Sequence, residues 1–180
     1  MKKVIIFLAD GSEEVEALAP IDMLRRAGAD VTVAGAGKTE CTCSHGVKIT
    51  ADKTAQECAG GEYDMAVLPG GMPGTLNLGA DADVEKIVKK TYAAGGFVAA
   101  ICAAPSVLGA YGLLEGKRAT CYPGFEAKLT GACHVPEKVV RDGNIITGAG
   151  AGAAMDFALM LVAVLYGEET SENLRKAVLA

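Results

Sequence analysis

The sequence predicts an α/β fold, a three-layer sandwich in which a mainly parallel sheet is covered by helices on both faces. Three observations lead there. Apolar runs of strand length alternate with stretches of helical period, several runs end on Gly, Pro or acidic residues, and the core is left to Ala, Val, Leu and Gly because aromatics are 5% and Trp is absent. With 180 residues and 51% hydrophobic content the chain fits one domain, large enough to bury its core without metal or disulfide support.

Val4–Leu8 reads as the first strand, and Glu13–Ala27 as a helix interrupted at Pro20. Val31–Ala34 follows as a strand, Lys38–Thr50 as a hairpin excursion rich in Thr and Cys, and Asp64–Leu68 as a strand ending on Pro69-Gly70-Gly71. Asp83–Ala94 carries Val84, Ile87, Val88 and Tyr92 at helical spacing. Phe97–Ile101 and Pro105–Leu114 give strand, turn and helix, with Pro105 at the first helical position, where its missing N–H costs nothing. Arg118–Cys121 and Asn144–Thr147 are the last expected strands, Ala153–Tyr166 is a largely buried helix, and Thr170 or Ser171 would cap a final helix through Val178.

A net charge of −5 gives no basic field for nucleic acid or an anionic membrane, so neither is expected as a partner. The apolar runs at Val4–Ala9 and Phe157–Tyr166 are too short for a signal segment or a membrane span, which suggests a cytoplasmic protein. The six cysteines are then expected as free thiols. Cys41-x-Cys43-x-His45 would set three potential ligands on one strand face, but it lacks a fourth, and we read it as a polar hairpin with no metal.

Cys102 stands at the strand-to-helix turn of Phe97–Pro105, where a helix N-terminus would favour a thiolate and lower its pKa. Such a nucleophile needs a proton partner and oxyanion donors. Of the three glutamates in Asp10-Gly11-Ser12-Glu13-Glu14-Val15-Glu16, Glu13 and Glu14 read as solvated charge at a helix start. Glu16, beside Val15, Ala17 and Leu18, reads as a partly buried carboxyl of raised pKa, able to donate a hydrogen bond to the thiolate. Backbone N–H groups of Gly71 and Ala103 form a candidate oxyanion pair, with Gly70, Tyr122 and His45 as pocket residues. The glycines of Gly148–Ala153 read as close backbone packing near the thiol, because no dinucleotide-binding unit follows them. His45 and His134 are the only histidines, and neither adjoins Cys102 in sequence.

The segments Ala9–Glu16, Arg25-Arg26-Ala27-Gly28, Leu68-Pro69-Gly70-Gly71 and Ala100–Pro105 together resemble the ThiJ/PfpI superfamily, in the branch of the parkinsonism-associated protein DJ-one. The resemblance spans essentially the whole chain. It implies a flavodoxin-like homodimer with Cys102 as oxidisable nucleophile, Glu16 as its hydrogen-bonding partner, and Gly71 and Ala103 near the oxyanion site. Two departures limit what carries over. Tyr122 stands where the branch's pocket histidine is usual, and Ala103 stands where the peptidase branch carries a histidine. A downstream His-x-Glu, as in glutamine amidotransferases, is also missing. The expectation is therefore a cofactor-independent glyoxalase or deglycase acting on a small carbonyl substrate. The rival is a redox-responsive stress protein or chaperone with Cys102 as its oxidation sensor.

Overall fold

In the computed structural model, which describes residues 1–180, the central apolar runs form strands buried on both faces. The elements are β1 (Lys3–Leu8), α1 (Glu14–Arg26), β2 (Asp30–Gly35), β3 (Glu40–Thr42), β4 (Lys48–Thr50), β5 (Lys53–Thr54), α2 (Ala55–Cys58), β6 (Met65–Leu68), α3 (Gly74–Ala80) and α4 (Ala82–Ala93). They continue with β7 (Phe97–Ile101), α5 (Pro105–Ala110), β8 (Arg118–Ala119), β9 (Cys133–His134), β10 (Val139–Asp142), β11 (Ile145–Gly148), α6 (Ala154–Tyr166) and α7 (Glu168–Ala177).

Seven strands make the main sheet in the order β10-β11-β7-β6-β1-β2-β5. All neighbours are parallel except β10 and β11. Because strand side chains alternate, Ile5 and Phe7 of β1 join one core with Leu68, Val84 and Val107, while Val4, Ile6 and Leu8 join another with Leu24 and Phe157. One core thus backs α4 and α5, the other α1 and α6. The predicted α/β sandwich and its mainly parallel sheet are what the structure has. No helix is long and apolar enough to cross a membrane.

Four local expectations fail. α1 runs through Pro20, which is buried, because packing against α6 and the sheet outweighs the bond lost to the Glu16 carbonyl. The segment Arg118–Cys121 supplies only the two residues of β8, which pairs with β9 outside the main sheet. α5 stops at Ala110, ahead of Gly112 at φ 75°, and does not reach Leu114. α7 begins after Gly167, and neither Thr170 nor Ser171 caps it. Their hydroxyls instead donate to the carbonyls of Tyr166 and Leu159. The hairpin is present as antiparallel β3 and β4, while β10, α2 and α3 carry no pattern strong enough to be foreseen.

Candidate active site

β1 is the switch point of the sheet: the chain steps from it to β2 on one side, and β6 and β7 continue on the other. Crevices in open parallel sheets form outside the carboxyl ends at such a point. The turns after β1, β6 and β7 meet there, carrying Glu13–Glu16, Gly70-Gly71 and Cys102.

Cys102 adopts φ 66°, the left-handed region that side chains other than glycine rarely occupy. Neighbouring backbone holds it there. Its N–H donates to the Gly148 carbonyl at 2.9 Å, and its carbonyl accepts from the Tyr122 N–H at 2.8 Å. The sharp turn lifts the half-buried thiol off the end of β7, in the manner of a nucleophile elbow. The N–H groups of Gly71 and Ala103 face the sulfur, the arrangement expected of an oxyanion pair.

Glu16 is 1% exposed. Its Oε2 accepts from the Gly70 N–H at 2.9 Å, whereas its buried Oε1 has no hydrogen bond of regular geometry, and the carboxyl's remaining interaction is with the Cys102 thiol. Gly70 is what permits this approach. A Cβ there would meet Glu16 Oε2 at 2.5 Å and the Cys102 Cβ at 2.6 Å. At Gly71, with φ 87°, a Cβ would collide with the backbone of Gly11 and Glu13.

Burial raises the Glu16 carboxyl to about 7, helped by the nearby charge of Glu13 and opposed by its bonds to Cys102 and Gly70. Burial also pushes the Cys102 thiol up, to about 12, and the charge and hydrogen bond of Glu16 add to this against the pull of the Gly71 and Ala103 N–H groups. The expected lowering of Cys102 by a helix N-terminus is therefore overturned. α5 has six residues, and burial beside an anionic carboxylate outweighs its dipole. The two groups titrate as one unit that loses its first proton near pH 7 and its second near pH 12. Between those values the pair carries one proton and one negative charge, the proton on sulfur and the charge on the Glu16 carboxylate beside it.

Glu13 and Glu14 are not solvated charges. Glu13 caps α1, its Oε2 accepting from the Glu16 N–H at 2.8 Å. Glu14 is 6% exposed because the tip of the hairpin folds over it. Its Oε1 accepts from the His45 N–H at 2.7 Å, and its Oε2 lies 3.0 Å from both Ser44 Oγ and His45 Nδ1. Burial alone would raise this carboxyl, but these hydrogen bonds bring it down to about 2. The same contact raises His45.

The structure thus gathers Cys102, Glu16, Gly70, Gly71 and Ala103 at one point. Tyr122 lies beside them, with its ring near Gly150 and its N–H on Cys102. His45 is bound to Glu14 and not to Cys102, and His134 is exposed on β9. Cys41 and Cys43 are buried in the hairpin while His45 sits at its tip on Glu14, with an exposed side chain, so the three form no ligand set. A groove of about 570 Å³ between α3 and α5 contains neither Cys102 nor Glu16. Sequence reasoning missed the capping role of Glu13 and the burial of Glu14, for which the only signal was the hairpin's polar tip.

A DJ-1/PfpI family model matches residues 2–164. Protein DJ-1 homolog B of Arabidopsis thaliana is 45% identical over 93% of this chain, yet the chain spans only 39% of that protein and 46% of its homolog A. The glutathione-independent glyoxalase DJR-1.2 of Caenorhabditis elegans is 32% identical over 96% of this chain and 93% of its own length. Among solved structures, that of oxidised DJ-1 from Toxoplasma gondii superposes with a TM-score of 0.96 at 37% identity, covering 99% of this chain and 98% of that one. The sheet order, the elbow at Cys102 and these matches lead to one assignment: the chain belongs to the DJ-1/PfpI family.

Proposed function

We propose that the protein is a cofactor-independent cysteine enzyme of the glyoxalase or deglycase type, acting as a homodimer on small reactive dicarbonyls or their adducts. The observation that carries this reading is the buried Glu16 carboxyl in contact with the Cys102 thiol, opposite the N–H groups of Gly71 and Ala103, and in this reading the pair shares one proton, which passes from sulfur to Glu16 to free the thiolate. The kinship with a nematode protein named as a glyoxalase supports it.

With a 2-oxoaldehyde, the Cys102 thiolate forms a bond to the aldehyde carbon while the carbonyl electron pair moves to oxygen, and that oxyanion lies between the Gly71 and Ala103 N–H groups. Glu16 gives the oxyanion its proton and becomes a carboxylate. It then removes the hydrogen from the former aldehyde carbon and returns it to the adjacent carbon, while the proton on the first oxygen passes to the second, so that the first becomes the thioester carbonyl and the second the hydroxyl. The product is a thioester of a 2-hydroxy acid, formed by internal redistribution of electrons with no outside oxidant. Water cleaves the thioester, releasing the hydroxy acid and restoring the thiol.

Purified protein should convert methylglyoxal to lactate without added thiol, and Cys102→Ala should abolish the conversion. Glu16→Gln should keep an alkylatable Cys102 and lose turnover, because Gln donates a hydrogen bond but transfers no proton. A second reading is favoured by the same geometry and by the oxidised state of the Toxoplasma relative. The donors around the sulfur suit the oxygens of a sulfinate, which would make Cys102 a peroxide sensor. Stoichiometric oxidation of Cys102 with no turnover across a panel of metabolite carbonyls would select the sensor over the enzyme.

A further inference from the structure

Three hydrogen bonds close a ring around the candidate acid. The Glu13 N–H donates to the Gly70 carbonyl at 2.9 Å, the Gly70 N–H donates to Glu16 Oε2 at 2.9 Å, and the Glu16 N–H donates to Glu13 Oε2 at 2.8 Å. Glu16 cannot shift away from Cys102 without disturbing Glu13 or the end of β6. The second Glu13 oxygen, Oε1, faces His45 Nδ1 at 3.9 Å. The Glu13 side chain is 14% exposed and the His45 side chain 75%, so a poorly screened carboxylate stands between the buried pair and an imidazole open to solvent protons.

We propose that Glu13 is a positioning residue for the Cys102–Glu16 pair, and that through it the charge on His45 sets the pH at which the pair releases its first proton. The proposal rests on the reading of Cys102 and Glu16 as a proton-sharing pair, and is independent of the substrate. The Glu13 carboxylate holds the proton on Glu16, since its charge opposes that of a second carboxylate. A protonated His45 offsets part of that charge. The groups that face Glu16 are Glu13 from the start of α1, Cys102 from the turn after β7, and the Gly70 N–H from the end of β6. His45 faces Glu13 and Glu14 of the α1 start and Ser44 of its own turn. Asp10, paired with Lys38, lies in the turn after β1 and accepts from the Thr42 N–H of the hairpin, near Cys41 and Cys43.

The test is the rate of Cys102 alkylation by iodoacetamide as a function of pH, followed by peptide mapping, for the wild type, Glu13→Gln, His45→Gln and the double variant. Glu13→Gln keeps an oxygen acceptor for the Glu16 N–H and loses only the charge, so the step near neutrality should move to lower pH by about 0.5 unit or more. His45→Gln should move it the other way. In the double variant the His45 effect should largely vanish, because its route through Glu13 is gone. A purely structural role for Glu13 would change rates and leave the midpoint in place. Profiles for both single variants that superimpose on the wild type, or that shift in the same direction, would overturn the proposal. Should Glu13→Gln not fold, His45→Gln carries the test at an exposed position, and an unmoved midpoint there would be equally fatal. A wild type with no step near neutrality would refute the pair itself, while a lack of methylglyoxal turnover would refute only the substrate.

Discussion

At the residue scale, Glu16 makes the protein less stable than it would otherwise be. Its carboxyl is raised from 4.5 to about 7, so the folded state holds an extra proton and stability falls as pH rises between those values. The full cost, on the order of 3 kcal/mol, is present above pH 7. Urea unfolding of Glu16→Gln should show a higher midpoint than the wild type at pH 8 and a smaller difference at pH 4.5. Glu14 has the opposite sign: brought down to about 2, it contributes stability above pH 4.5 that is lost as pH falls through 2. Burial takes four of the six thiols out of reach of reagents, and the proton partner, not exposure, decides between the other two. Cys41, Cys43, Cys58 and Cys121 are buried, leaving Cys102 and the exposed Cys133. Limiting iodoacetamide at pH 7.5 should label Cys102 ahead of Cys133, and the reverse order would remove the case for an activated nucleophile. The identity of both catalytic candidates was legible in the sequence, since a cysteine between an apolar run and Pro105 and an acid at the third turn position are local patterns. The direction of the Cys102 shift was not, because it depends first on how deeply three converging turns bury the thiol and then on the charge of a carboxylate 86 positions away in the chain.

At the scale of elements, the site is set by how closely three turns approach one another. Gly70→Ala would place a methyl group between Glu16 and Cys102, with the Ile101 carbonyl only 2.9 Å behind it. The expected result is a folded protein with at least a 100-fold loss in Cys102 alkylation rate at pH 7.5, since a displacement of about 1 Å in a catalytic group carries a cost of that order. Unchanged reactivity would show that the carboxyl and thiol need not be adjacent. Strands of continuous apolar residues were readable because both faces of the sheet are covered, and so were the long helices α4 and α6. Pro20 misled because a local rule was applied where burial against α6 decides. Arg118–Cys121 reads too long and β9 goes unforeseen, because two-residue pairings carry no period to detect.

At the scale of the whole molecule, α1 presents Val15 and Leu18 to solvent at 53% and 43% exposure, on the same helix that carries Glu16 inward. Covering that face with a second copy fits the proposed homodimer, and light scattering at micromolar concentration should return about twice 18.4 kDa. A monomer would oppose it, and Leu18→Glu should shift a dimer toward monomer. The sheet order was legible only as a class: alternation of strands and helices implies parallel pairing, but nothing local specifies that β10 turns back against β11. That reversed strand has a further effect on how the protein behaves at high concentration. The sheet ends on one side in the four residues of β10, where Arg141 and Asp142 put charge along the border, and on the other in the two residues of β5, which continue directly into α2. Neither border offers a long apolar ladder of unpaired N–H and carbonyl groups, so strand-by-strand growth into fibres has no template in the folded state.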